Sequence, residues 1–120
     1  MGGRADRDEN ERTQLLRLLG ESPSISQREI ARSLGVSVGK THYLLKAFIE
    51  KGVVKVDSFG RSDNKIGYAY YLTPRGFKEK AALTRRFFAR QLTEYEALSR
   101  DIEQLRRELE ADRESDVQNS

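Results

Sequence analysis

Between Phe77 and Asp112 the chain contains neither glycine nor proline, and this uninterrupted stretch constrains the fold more than any other feature. Thr73-Pro74 is placed to open a helix there. Threonine can cap the first turn, and proline's fixed φ suits the first helical position, where no N–H is needed. Gly76 falls inside that first turn. A helix from Pro74 to about Asp112 would hold about 39 residues and, at roughly 1.5 Å each, extend about 58 Å. That is too long to pack along its whole length on a domain of about 70 residues. Composition agrees: 37% hydrophobic and 34% charged residues are too polar a mixture for a single compact globule of this length.

The helix carries its own seam. Phe88, Tyr95, Ile102 and Leu109 recur every seven residues, and Leu98 and Leu105 fill the intervening position that Thr84 and Gln91 hold earlier. Such an a/d repeat is the pattern of a coiled coil. It is strongest from Tyr95 to Leu109, and Glu94, Arg100, Asp101, Glu103 and Glu108 cover its flanks. The expected interface is Phe88, Leu92, Tyr95, Leu98, Ile102, Leu105 and Leu109, and the expected partner is a second copy of the chain. The alternative is a helix that folds back on its own domain, which its length disfavours for the distal half.

Three shorter helices precede it. Leu15, Leu16, Leu18 and Leu19 supply the apolar face of the first, from about Asp8 to Leu19, with Gly20 as its expected stop and Glu21 to Ser24 as a turn. Ser26 and Glu29 form a capping box for the second, whose buried stripe is Ile30, Ala31 and Leu34 and whose stop is Gly35. Ser37 caps the third, which runs to about Lys51 with Thr41, Leu44, Leu45 and Phe48 turned inward and Gly52 at its end. Val53 to Val56 and Tyr68 to Leu72 read as strands joined by the polar segment 58–67, so a hairpin with an extended tip. The expected fold is mainly α with a small β-hairpin (α+β), a winged helix-turn-helix followed by a long C-terminal helix forming a coiled coil. Residues 1–10 are expected as a flexible N-terminus, 11–80 as the DNA-binding domain, 81–112 as the dimerisation helix and 113–120 as a flexible tail.

Charge is unevenly spread. Residues 26–80 carry eleven basic against five acidic side chains, whereas 1–25 carry four against five and 81–120 seven against nine. The positive excess therefore lies where a phosphate-facing surface would need it. The third helix would present Ser37, Gly39, Lys40, His42, Tyr43 and Lys46 to a major groove, since a recognition helix places its N-terminal side chains on base edges. Gln27 and Arg28 of the second helix, and Arg61, Asn64 and Lys65 of the hairpin tip, complete the candidate DNA contacts. An arginine on a wing can enter the narrow, electronegative minor groove.

Other functions find little support. The segment Gly35-Val-Ser-Val-Gly39-Lys40-Thr41 has three residues between its glycines, where a P-loop needs four, and it follows a helix rather than a strand. The chain has one histidine, His42, and no cysteine, so neither a catalytic constellation nor a metal site is expected, and no cofactor. No apolar run is long enough to span a bilayer and the first twelve residues are polar, so the expected location is the cytoplasm.

The stretch from Ser26 to Ser37, then Phe48-Ile-Glu-Lys-Gly-Val-Val54, then Tyr71-Leu-Thr-Pro-Arg-Gly76, resembles the MarR superfamily of winged-helix regulators. The aromatic segment Tyr68 to Pro74 and the run Lys80 to Thr84 are similar to the short MarR-like subgroup associated with exopolysaccharide gene clusters. The resemblance covers about residues 12–110. It implies a dimeric, sequence-specific transcriptional regulator, with Ser37 to Lys46 reading the major groove of a pseudo-palindromic operator and Arg61 serving the wing. Larger MarR proteins dimerise through several helices and often bind phenolic effectors between them. This chain has one short helix at its start and one long one at its end, which leaves a small-molecule effector open. The rival expectation is a winged-helix protein-interaction module with a coiled-coil partner helix.

Overall fold

The computed structural model describes residues 3–60, 63 and 65–119. The elements are α1 (Arg4–Glu21), α2 (Gln27–Leu34), α3 (Val38–Glu50), β1 (Val54–Gly60), β2 (Ile66–Leu72) and α4 (Pro74–Asn119). The chain divides into two units, Met1–Arg85 and Arg86–Ser120.

In the first unit the short-range signals of the sequence operate as expected. Ser26 is an extended N-cap whose Oγ accepts from the Glu29 N–H at 3.1 Å and donates to the Glu29 carboxylate at 3.2 Å. Ser37 likewise accepts from the Lys40 N–H at 3.0 Å. Each cap satisfies an otherwise orphaned donor and stabilises its helix by about 1 kcal/mol. Gly35 and Gly52 have φ of 71° and 73°, a left-handed conformation that side chains resist, so they stop α2 and α3 cheaply. The turn between α2 and α3 closes through Val36 N–H to Ala31 O at 3.0 Å.

One core joins these elements. It contains Leu15, Leu16 and Leu19 of α1, Ile30 of α2, Leu44, Leu45 and Phe48 of α3, Val53 and Val54, Tyr70 and Leu72 of β2, and Leu83 of α4. The inward face expected for α3 is confirmed, since Thr41, Leu44, Leu45 and Phe48 are all buried. Thr41 is tolerated there because its hydroxyl donates to Ser37 O at 3.1 Å. Burying each large apolar side chain is worth roughly 1.5–3 kcal/mol, so this face fixes α3 and leaves its opposite side to solvent.

The hairpin is antiparallel and pairs Val54 with Leu72 through to Gly60 with Ile66. Both strands run further than the sequence pattern suggested, reducing the connection to residues 61–65. The residues added to the strands are Asp57, Ser58, Phe59, Gly60, Ile66 and Gly67. Backbone pairing needs no apolar alternation, so the glycines and polar residues around Phe59 and Ile66 broke the pattern that marks a strand. The outer edge of β2 is engaged by the α1–α2 turn, where Tyr70 N–H donates to Pro23 O at 2.8 Å.

Two helix boundaries also differ. Helix α1 begins at Arg4, ahead of Asp8 and within the segment expected as a tail, and passes through Gly20 to Glu21. Apolar periodicity could not mark the first turns, because Asp6, Asp8, Glu9 and Asn10 are half-buried polar residues. Helix α4 continues to Asn119, past the Asp112 end that the sequence suggested. No helix among the described residues is long and apolar enough to cross a membrane.

Thr73 joins α3, the hairpin and α4. Its hydroxyl donates to Gly52 O at 2.6 Å, with Val53 O 3.1 Å away, and accepts from Gly76 N–H at 3.0 Å. Its own N–H donates to Val53 O at 3.1 Å. Gly76 is buried against that same carbonyl, and a β-carbon there would lie far inside van der Waals contact distance of its oxygen. Gly76→Ala is therefore expected to destabilise the fold by roughly 1–3 kcal/mol through overpacking. Thermal unfolding should show a midpoint lower by about 5 °C or more; an unchanged midpoint would show that α4 can shift without cost.

Candidate nucleic-acid interface

The exposed side of α3 is the counterpart of its buried side. Ser37, Gly39, His42, Tyr43 and Lys46 are all exposed, and Tyr43 retains 66% of its surface. Residues at spacings of three and four fall on one helical face, so His42, Tyr43 and Lys46 form a contiguous patch above the first turn. Gly39 lies beside it. A β-carbon at Gly39 would meet only the Ser37 Oγ, at 3.8 Å. Packing within the chain therefore does not require glycine here, although glycine costs about 1 kcal/mol relative to alanine in a helix interior.

Lys40 departs from the expectation of a free, outward-facing base. Its Nζ lies 3.5 Å from Asp8 Oδ1 and 3.5 Å from Glu11 Oε2, both on α1. The ammonium also sits 5.9 Å from the centroid of the Tyr43 ring. The Glu11 contact is one of charge alone, since Glu11 Oε2 is buried and accepts no hydrogen bond. The Glu11 side chain is 19% exposed and that of Lys40 35%, so the pair is screened less than a surface pair. In this arrangement Lys40 secures the first turn of α3 to α1. Nothing local in the sequence signals this, because the carboxylates lie about thirty positions upstream.

Gln27 is also engaged within the chain. Its Nε2 donates to the Tyr70 hydroxyl at 2.9 Å, which ties the start of α2 to β2. Beside this bond lies a groove of about 410 Å³ lined by Ser26, Glu29, Phe59, Tyr68 and Tyr70 among others. Arg28 and Lys65 are exposed. The Lys65 backbone N–H donates to Asp63 Oδ1 at 3.2 Å, which shapes the hairpin tip. Arg61 and Asn64, the other two expected wing contacts, lie outside the described residues. The hairpin shows what the sequence reading passed over: Val56, Phe59, Ile66 and Tyr68 are 43–64% exposed. Among the described residues no three His, Asp or Glu side chains are grouped to hold a metal ion.

In the second unit Phe88, Leu92, Tyr95, Leu98, Ile102, Leu105 and Leu109 are all exposed, at 43–70%.

Residues 12–55 match a family model described as winged helix-turn-helix DNA-binding. That span takes in most of α1, all of α2 and α3, and the start of β1. Among solved structures, the chain is similar to the zinc-dependent MarR family transcriptional regulator AdcR in its Zn(II)-bound state. Identity is 25% and the TM-score 0.54, over 74% of this chain and 58% of that one. A Mycobacterium tuberculosis MarR family protein in complex with p-aminosalicylic acid is 25% identical, with a TM-score of 0.51 over 79% of this chain and 76% of that one. A Streptococcus transcriptional regulator shares the fold at 13% identity, with a TM-score of 0.62 over 72% of this chain and 89% of that one. The chain thus spans a little over half the length of AdcR. No curated protein matches it in a sequence comparison.

Gly39 offers a test that separates packing from binding. Gly39→Ala is expected to leave the fold intact or stabilise it by up to about 1 kcal/mol, because the space around it is open. The same change should weaken duplex binding several-fold if the glycine admits a close backbone approach to DNA. Unfolding curves and fluorescence anisotropy on one preparation would read both effects. Unchanged affinity would remove Gly39 from the interface.

Proposed function

We propose that this chain is a sequence-specific, double-stranded DNA-binding transcriptional regulator that acts as a homodimer. The observation that carries the reading is the two-sided character of α3 within a winged helix-turn-helix. One face is buried to the last residue, and the other presents Ser37, Gly39, His42, Tyr43 and Lys46 to solvent. A helix in this position of the motif enters the major groove with its N-terminal side chains on base edges. His42 and Tyr43 are the candidate base readers. Arg28, Lys46 and Lys55 supply phosphate contacts, which carry much of the affinity but little sequence information. Lys40 acts chiefly by holding α3 in place. The sequence resemblance favours target genes of exopolysaccharide biosynthesis.

The dimer follows from the second unit. A monomer would leave the Tyr95, Leu98, Ile102, Leu105 and Leu109 seam in water, at roughly 1.5–3 kcal/mol per side chain relative to burial. Two recognition helices about 34 Å apart would then address successive major grooves of a pseudo-palindromic site. The exposed apolar residues of the hairpin favour a second reading, in which the winged helix docks a protein. The salt dependence of duplex binding separates the two, because only phosphate neutralisation gives a steep, linear log–log slope.

Selection of bound duplexes from a random pool should return a two-fold symmetric site. Lys46→Ala should weaken binding to all sequences alike and reduce the salt slope by about one. Tyr43→Ala should cost about 1–3 kcal/mol on the selected site and less on random duplex. If both variants keep wild-type affinity and slope, α3 is not the DNA-reading element.

The double change Ile102→Asp with Leu105→Asp should weaken self-association by about a hundredfold or more, since it replaces four buried apolar side chains per dimer with carboxylates. Operator affinity should fall with it, because each copy then binds a half-site alone. Light scattering coupled to size exclusion is the measurement. A variant that remains fully dimeric would exclude the seam as the interface.

A further inference from the structure

We infer that the seam pairs two copies of the chain in parallel and in register, an orientation set by the charges beside the seam. The inference rests on the homodimer reading and specifies its geometry. With Tyr95, Ile102 and Leu109 at the a positions, Leu98 and Leu105 occupy d. The g positions are then Glu94, Asp101 and Glu108, and the e positions after Leu92 are Ser99, Arg106 and Arg113. One flank of the seam is therefore acidic throughout, and the other is basic wherever it is charged.

Chain direction decides which flanks meet. In a parallel, in-register pair each g residue faces the e residue five positions further along the other copy. Asp101 then meets Arg106 of the second copy, and Glu108 meets its Arg113. Symmetry repeats both contacts, giving four ion pairs and no like-charged one. In an antiparallel pair g faces g and e faces e, so acidic flanks would line up against each other and arginines against arginines.

The spacing itself has no intrachain use. Helix neighbours interact at three and four residues apart, not five, so Asp101 cannot pair with Arg106 of its own helix, nor Glu108 with Arg113. The competing contacts within the helix are weak: Arg106 lies 3.9 Å from Glu103, with both side chains half exposed or more, and Gln104 Nε2 donates to Glu108 Oε1 at a long 3.4 Å. Glu103 has Arg107 as an alternative partner at 3.6 Å. The seam's composition points the same way, since a β-branched residue at a with leucine at d favours two parallel strands. Ile102 stands at the central a position, between Leu98 and Leu105. Both copies would then enter the seam from the same end.

The chain has no cysteine, so single introduced thiols report the orientation directly. Gln91→Cys and Asp112→Cys place a thiol at the d positions flanking the seam. In the parallel pair each variant alone should form a disulfide-linked dimer under mild oxidation, and a mixture of the two should give no 91-to-112 product. An antiparallel pair centred near Ile102 would give the reverse and would overturn the orientation while leaving the dimer standing. A dimer that sediments as such but forms none of these links would overturn the seam. A wild-type chain that sediments as a monomer at tens of micromolar would overturn both.

A second series tests the charges. Arg106→Glu with Arg113→Glu should weaken the dimer about tenfold, because four attractive contacts become repulsive. Adding Asp101→Arg and Glu108→Arg to the same chain should restore it, with helix content by circular dichroism constant throughout. An antiparallel pair would gain nothing from the added changes, so failure to restore would overturn the ion-pair assignment.

Discussion

The arrangement of the first unit depends on the junction at Thr73. A single hydroxyl spans the end of α3 and the start of α4, donating at Gly52 O and accepting from Gly76 N–H. Between them lies the Val53 carbonyl, which also receives the Thr73 N–H. The strand that leaves α3 and the helix that follows the hairpin are thereby fixed to the same few backbone atoms. Gly76 allows this closeness because any side chain would displace the carbonyl. Leu83, two turns further along α4, is then carried into the core beside Leu15, Leu16 and Leu19. The hydrogen bonds are modest individually, at about 1 kcal/mol each. Their effect lies in geometry, since they determine where the hairpin stands relative to α3.

The exposed face of α3 is shaped as much by what is withdrawn from it as by what it presents. Of two lysines on α3 expected to face DNA, Lys46 is free to do so and Lys40 is turned onto the α1 carboxylates. Gln27 is likewise turned onto Tyr70. Both contacts hold a helix against a neighbouring element, and a helix held rigidly loses less entropy when it docks. The surface that remains is small: a tyrosine, a histidine, a lysine and a bare stretch of backbone at Gly39.

Much of this was legible in the sequence, for reasons that are local. The caps at Ser26 and Ser37, the stops at Gly35 and Gly52 and the inward set Thr41, Leu44, Leu45 and Phe48 depend on residues within one helical turn or one helical period. So do the heptads of α4 and the charges beside them. Where the reading fell short, the missing information was not periodic. The first turns of α1 are polar, and the strand extensions at Asp57 to Gly60 and at Ile66 and Gly67 are joined by backbone pairing.

The sequence by itself determined the order of the elements, the buried and exposed faces of α2 and α3, and the existence of an apolar seam on α4. Each of these follows from propensity and spacing along one stretch of chain. Only the tertiary structure decided which polar side chains remain available to a partner. Lys40 and Glu11 are 29 positions apart, Gln27 and Tyr70 are 43 apart, and Gly76 meets Val53 across the whole hairpin. Such pairings depend on how finished elements pack together, and no local pattern encodes the distance between two side chains brought together by the same core.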